Sequence, residues 1–318
     1  MLPSLFEAAV LSNTDITNTT LIAAHVTRMT TGGLANAYYT VDYDKNPTGD
    51  PMQQPASKLG IHGGYGFGSP HASSGNFDNM GRVALGGDTS TDGVTALAAI
   101  YANDNLKLQA WDYIAWDILN AIYLQADYTF NVSETSNVTA SAQYINESDI
   151  GDAYASKVDT NLFGVKLAGN MGNLSAFAAY SQTDDNDDNY GVVSPWGGAP
   201  VFTTGMVTRH EMLPDSSVWK VGVGYKLPEY GIKASAYYAE YTVGNSGAQK
   251  ILGGTASEWT TKEPGFDIQY DVASIKGLNL RFRGNFPREF TPTYKNKDGD
   301  TKYSTDWDEY RFIVNYSF

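Results

Sequence analysis

The closing stretch, Trp307 to Phe318, constrains the fold more than any other part of the chain. Tyr310, Phe312, Val314, Tyr316 and Phe318 alternate with Glu309, Arg311, Ile313, Asn315 and Ser317, and both charged residues fall in the second set. Period two means a strand with one apolar and one polar face. Aromatic residues stand at both ends of this strand, as they do in strands that cross an outer membrane between two aromatic girdles. The pattern predicts a lipid-facing strand of a β-barrel.

Mean hydropathy is −0.33, and no apolar run approaches the roughly 20 residues of a membrane-spanning helix. A membrane crossing therefore has to be a closed barrel, because unpaired strand edges are not tolerated in lipid. The formal charge of −14 argues against a nucleic-acid partner. With no cysteine, disulfides and thiol chemistry are excluded. Tyr, Trp, Phe and Gly are abundant while charged residues make up 18%, a mixture that fits short amphipathic strands joined by glycine-rich turns. The opening Met1-Leu2-Pro3 lacks a basic segment followed by an apolar one, so a secretion signal is expected to have been removed or to lie outside this chain.

Thirteen strands are expected in one domain spanning residues 1–318, at 5–12, 19–28, 93–102, 105–116, 119–130, 138–147, 160–170, 173–182, 216–227, 231–243, 264–274, 278–288 and the closing stretch. The alternation is nearly complete at 119–130, where Ile122, Leu124, Ala126, Tyr128 and Phe130 oppose Gln125, Asp127 and Thr129. Short turns such as Met171-Gly172 and Pro228-Glu229-Tyr230 alternate with long connections near 31–92, 183–215, 245–262 and 291–306. Outer-membrane barrels show this asymmetry, with tight periplasmic turns and long extracellular loops. If the long loops mark the outside, the first and thirteenth strands run the same way and cannot pair antiparallel. Either an odd number of strands is missing on the amino-terminal side, or a rare parallel pair closes the barrel, or the count is off by one.

Leu5-Phe6-Glu7-Ala8-Ala9-Val10, a short turn, then Thr20-Leu21-Ile22-Ala23-Ala24-His25 resembles the segment after the constriction loop in the OprD family of outer-membrane porins. Asn105 to Tyr113 followed by Asn120 to Tyr128 is similar to that family's middle hairpin of long aromatic strands. The resemblance implies an all-β fold, a transmembrane antiparallel β-barrel with about thirteen of eighteen strands present. It further implies a bacterial outer-membrane location, outer-membrane lipid and small hydrophilic solutes as partners, no cofactor and no enzymatic activity. A homotrimer is left open.

A diffusion channel selects through charges lining a water-filled lumen. At 278–288 the alternation sends Leu278, Leu280, Phe282 and Phe286 outward and Asn279, Arg281, Arg283 and Asn285 inward, and Arg311 joins the inward set. An arginine facing lipid at mid-membrane costs about 2 to 4 kcal/mol, which directs these side chains to water. The resemblance implies that Arg281, Arg283 and Arg311 belong to a ladder of basic residues that draws carboxylate solutes inward. Lys107, Lys166, Lys220 and Lys233 fall on the polar faces of their strands, and Asp127, Asp267 and Asp271 supply the opposing sign. The plainer alternative is that all ten are solvated lumen residues without solute preference.

Other signals are weaker. Asp184, Asp185, Asp187 and Asp188 offer hard oxygen ligands for Ca²⁺ but lack the spacing and closing glutamate of a helix-loop-helix site, so an acidic solvated loop is the simpler reading. His62 and His71 lack a third ligand nearby, and the glycine run 63–68 lacks the strand-to-helix setting of a phosphate-binding loop. Two functions from other classes compete with the porin: a soluble extracellular β-rich module that stacks sugars on its aromatics or acts as an adhesin, and an outer-membrane barrel lipase.

Overall fold

The computed structural model describes residues 4–30, 76–85, 89–186, 191–193, 196, 200–306 and 308–317. Its strands are β1 (Leu5–Asn13), β2 (Thr19–Thr30), β3 (Asp78–Asn79), β4 (Val94–Ala102), β5 (Leu106–Ala115), β6 (Leu119–Ser133), β7 (Ser136–Ser148), β8 (Asp159–Met171) and β9 (Leu174–Thr183). They continue with β10 (Ser216–Leu227), β11 (Ile232–Val243), β12 (Trp259–Asp271), β13 (Leu278–Asn285), β14 (Tyr294–Lys295), β15 (Thr301–Lys302) and β16 (Glu309–Tyr316). Two short helices, α1 (Met80–Leu85) and α2 (Asn245–Ile251), lie in connections.

Thirteen long strands form one antiparallel sheet in the order β1-β2-β4-β5-β6-β7-β8-β9-β10-β11-β12-β13-β16, and β3 adds to β2 off this path. Each strand pairs with its sequence neighbour, so local turns set the register. At the β8–β9 turn Gly172 adopts φ +56, the left-handed conformation that a tight hairpin requires. At the next turn on that rim Gly231 has φ +66, and a Cβ there would lie 2.6 Å from the Asp271 carbonyl oxygen, so only glycine fits.

The two rims differ. One carries the connections 14–18, 103–105, 134–135, 172–173, 228–231 and 272–277, all short. The other carries the connections after β2, β7, β9, β11 and β13, which are longer, and the three-residue link 116–118. The edges of the sheet are β1 and β16, and with thirteen antiparallel strands between and including them they run in the same direction.

One face of the sheet carries exposed large apolar side chains. Trp219, Val221, Val223 and Tyr225 of β10 and Tyr310, Phe312, Val314 and Tyr316 of β16 all belong to it. The opposite face, here called inner, is polar and partly covered by chain from the long-loop rim. Over β2 and β4–β6, α1 packs Met80, Val83 and Ala84 against Met29, Val94, Ala115 and Leu119. Over β6–β8, Val192, Val201 and Met212 pack on Tyr123, Ile145 and Leu162.

Three expectations need correction. The long connection 183–215 does not simply extend from the rim, because residues 200–213 turn back and lie on the inner face. The strand expected at 264–274 spans Trp259–Asp271. Its Pro264 sits inside the strand, paired opposite Tyr238 and accepting the Phe286 amide at 3.0 Å, so proline does not mark the strand's start. The connection expected to be plain loop at 291–306 holds the β14–β15 ladder. His62, His71, the glycine run 63–68, Asp187, Asp188 and Phe318 lie outside the described residues.

Candidate pore lining

Cross-strand register decides which inner-face side chains meet. Phe177, Gly222, Tyr237 and Gly265 stand opposite one another on β9, β10, β11 and β12, alternating ring and glycine. A Cβ on Gly222 would come 2.4 Å from the Phe177 ring, and one on Gly265 would come 2.4 Å from the Tyr237 ring, so the missing side chains let both rings lie flat on the wall. Lysines stand above these rings. Lys220 Nζ is 4.4 Å from the Tyr237 centroid, and Lys166 Nζ is 5.3 Å from that of Phe177 and 5.8 Å from that of Phe202. Such stacking holds an ammonium in place without neutralising it. Lys166, Phe177, Lys220, Gly222, Tyr237 and Arg283, with residues 204–206, line a cleft of about 400 Å³.

The loop is seated by a buried carboxylate. Glu263 of β12 accepts the amide hydrogens of Met206 at 2.8 Å and Thr208 at 2.7 Å, and also the Tyr237 hydroxyl. Lys220 Nζ donates to the Thr204 carbonyl at 2.6 Å, and Gln143 bonds Pro200 and Phe202 on the far side. Within the loop itself, His210 and Glu211 are fully buried. Burial pushes the Glu211 carboxyl above its ordinary range, and the nearby Arg209 guanidinium only partly offsets that.

The basic residues are not equivalent. Arg281 and Arg283 both engage Asp267, Arg281 through Nε to both carboxylate oxygens at 2.9 Å and Arg283 at 3.2 Å. Arg311 stands opposite Arg283 on the neighbouring strand and is paired with Glu309. Lys233 reaches Asp271 at 3.5 Å near the short-turn rim. Lys107 lies opposite Asp127, whose carboxylate accepts Gln125 Nε2 at 2.7 Å, and no ion pair joins the two among the described residues. Lys166 likewise has no carboxylate within ion-pair distance among the described residues.

Asp184 accepts the Asn161 amide at 3.0 Å and the side-chain amides of Asn161 and Asn186 at 2.8 and 3.0 Å, so its oxygens tie down a strand end. Among the described residues no group of three or more acidic, histidine or cysteine side chains is placed to hold a metal.

Sequence reasoning missed Glu263, Tyr237 and Glu309. Glu263 was excluded by starting its strand at Pro264, although Trp259, Thr261, Glu263 and Gly265 alternate on one face. Glu309 shares its face with Arg311, two residues on, and that spacing was legible.

An amphipathic antiparallel sheet with an apolar outer face, a charged inner face and an inward-folded loop defines a class: a transmembrane β-barrel of the bacterial outer membrane, built as a channel. Residues 57–318 match the profile of the family described as outer membrane porin, OprD family, and the chain belongs to that family. It is therefore a porin, a passive channel and not an enzyme, and the soluble sugar-binding module is not favoured.

Solved structures of the same fold include Pseudomonas aeruginosa OccK2 (OpdF) in complex with glucuronate, at TM-score 0.71 and 16% identity, covering 99% of this chain and 71% of that one. Pseudomonas aeruginosa OpdK with vanillate gives TM-score 0.70 at 14% identity, covering 99% and 69%. Acinetobacter baumannii OccAB2 gives TM-score 0.69 at 19% identity, covering 99% and 68%. No curated protein matches the chain by sequence.

Proposed function

We propose that this porin favours small hydrophilic solutes bearing a carboxylate, and that Lys166 is the cation they meet. The observation that carries this is the unequal state of the basic residues. Arg281, Arg283 and Arg311 are held by Asp267 and Glu309, and Lys220 is occupied by the Thr204 carbonyl. Lys166, stacked between Phe177 and Phe202, keeps its charge open to the cleft. The arginines then set the local field and Lys166 makes the contact. Arg281, Arg283, Arg311, Lys107, Lys166, Lys220 and Lys233, with Asp127, Asp267 and Asp271, line the lumen in this reading. The bound ligands of two structural neighbours, glucuronate and vanillate, are both carboxylates, which agrees with it.

In this reading the long-loop rim faces outside and the short turns face the periplasm. A wall closed by antiparallel pairs throughout needs an odd number of further strands between β1 and β16, since those two edges run the same way. Five would give the eighteen that the sequence resemblance implies.

Swelling of vesicles containing the sealed channel tests the solute preference. Glucuronate is expected to enter several-fold faster than glucose, and K166M should remove the difference while leaving glucose entry unchanged. Equal rates for the two sugars in the unaltered protein would overturn the preference for carboxylates and leave the channel itself standing.

A further inference from the structure

Away from the basic cleft, the inner face holds a second cavity of about 370 Å³ of opposite character. Its walls include Met80, Tyr113, Tyr123, Ile145 and Trp196, and its one ionisable carboxylate is Glu147. Tyr113 stacks on Trp111 at 5.8 Å with the planes 4° apart, which fixes its ring as part of the wall. Trp196 Nε1 donates to the Met80 carbonyl at 2.8 Å, so the roof formed by α1 and the tryptophan is braced across the cavity. The volume lies in the range of small-molecule pockets, and the lining pairs apolar surface with few polar groups, as such pockets do.

Glu147 gives the cavity its specificity. Its side chain is only 3% exposed, and the Val193 amide donates to Oε2 at 2.6 Å. No hydrogen bond reaches Oε1 from the described residues. Glu147 lines the cavity with an acceptor oxygen that a ligand hydroxyl can meet. Met80, Ile145 and the flat aromatic walls suit a ring.

We propose that this cavity is a binding site for a neutral hydroxylated aromatic ring, with the phenolic O–H donating to Glu147. It rests on the channel reading of the inner face but not on the preference for carboxylates, and binding is tested apart from transport.

The test uses 4-fluorophenol and 4-fluoroanisole, which share the ring and differ in the hydroxyl donor, observed by fluorine NMR with the detergent-solubilised protein. Two variants accompany it: A121F, which fills the cavity from its wall, and E147L, which keeps bulk but removes the acceptor. Heat-modifiable gel mobility checks that each retains the barrel. The phenol is expected to give a saturable shift in the unaltered protein, to bind about fivefold or more tighter than the anisole, and to lose saturation in A121F. E147L should bind both probes alike. The proposal is overturned by absence of saturation in the unaltered protein, by saturation that persists in A121F, or by a phenol preference that survives in E147L. Should A121F not fold, the E147L comparison alone decides.

Discussion

Glu263 on the barrel wall accepts the amide hydrogen of Thr208 at 2.7 Å, joining the in-folded loop to β12 through a carboxylate that is fully buried. A charged acceptor holding several backbone amides is stronger than a neutral one, and removing it strands the donors. E263A is therefore expected to weaken the seating of residues 200–213 by about 3 kcal/mol. Planar-bilayer recordings should show larger and noisier conductance with heat-modifiable mobility unchanged. Unaltered conductance would mean that the loop does not narrow the passage.

Asp267 restrains two arginines at once. In D267N both guanidinium groups lose their counter-charge, so the zero-current potential in a salt gradient should move toward greater anion preference. R281A in the same assay should move it the other way. The arginine pair, not Lys166, is predicted to control this bulk ionic selectivity.

The buried Glu211 carboxyl gives the loop a pH dependence. Its proton is held more tightly in the folded chain than in the unfolded one. The stabilising contribution is fully present below the ordinary value of 4.5 and is lost as pH rises through the higher folded value. Conductance is therefore expected to rise with pH above that ordinary value as the loop loosens, and E211Q, which stays neutral, should flatten the rise. A rise that persists in E211Q would assign the effect to another group.

Phe282 belongs to the apolar outer face, where it stacks on Tyr310 at 6.1 Å. F282R should destabilise the barrel in lipid vesicles by about 2 to 4 kcal/mol if the residue lies near the bilayer midplane. Denaturant titration in vesicles measures this. Little change would place β13 away from hydrocarbon.

The number of long strands was legible because a period of two recurs along strands such as β6 and β10. The parity of the edges followed from the same count. Pairing among the charges was less legible. That Arg281 and Arg283 would share Asp267 depends on the β12–β13 register, which the turn 272–277 sets and the face pattern does not. The course of residues 200–213 was hidden for another reason: Val201, Met212 and Leu213 show no strand or helix period, and their burial is decided by partners distant in sequence, Tyr123 and Ile145 for the first two and Val243 and Trp259 for the third. A loop read only by its polarity therefore looked like an external one.

The central claim is that alternate side chains of one strand meet lipid and water. The chain has no cysteine, so single cysteines can be placed one at a time along β10, from Trp219 to Lys226. In vesicles holding the sealed channel, a charged water-soluble thiol reagent should label positions 220, 224 and 226, and a lipid-soluble maleimide should label 219, 221, 223 and 225. Uniform labelling by the charged reagent, or protein that stays dispersed in buffer without detergent, would contradict the account.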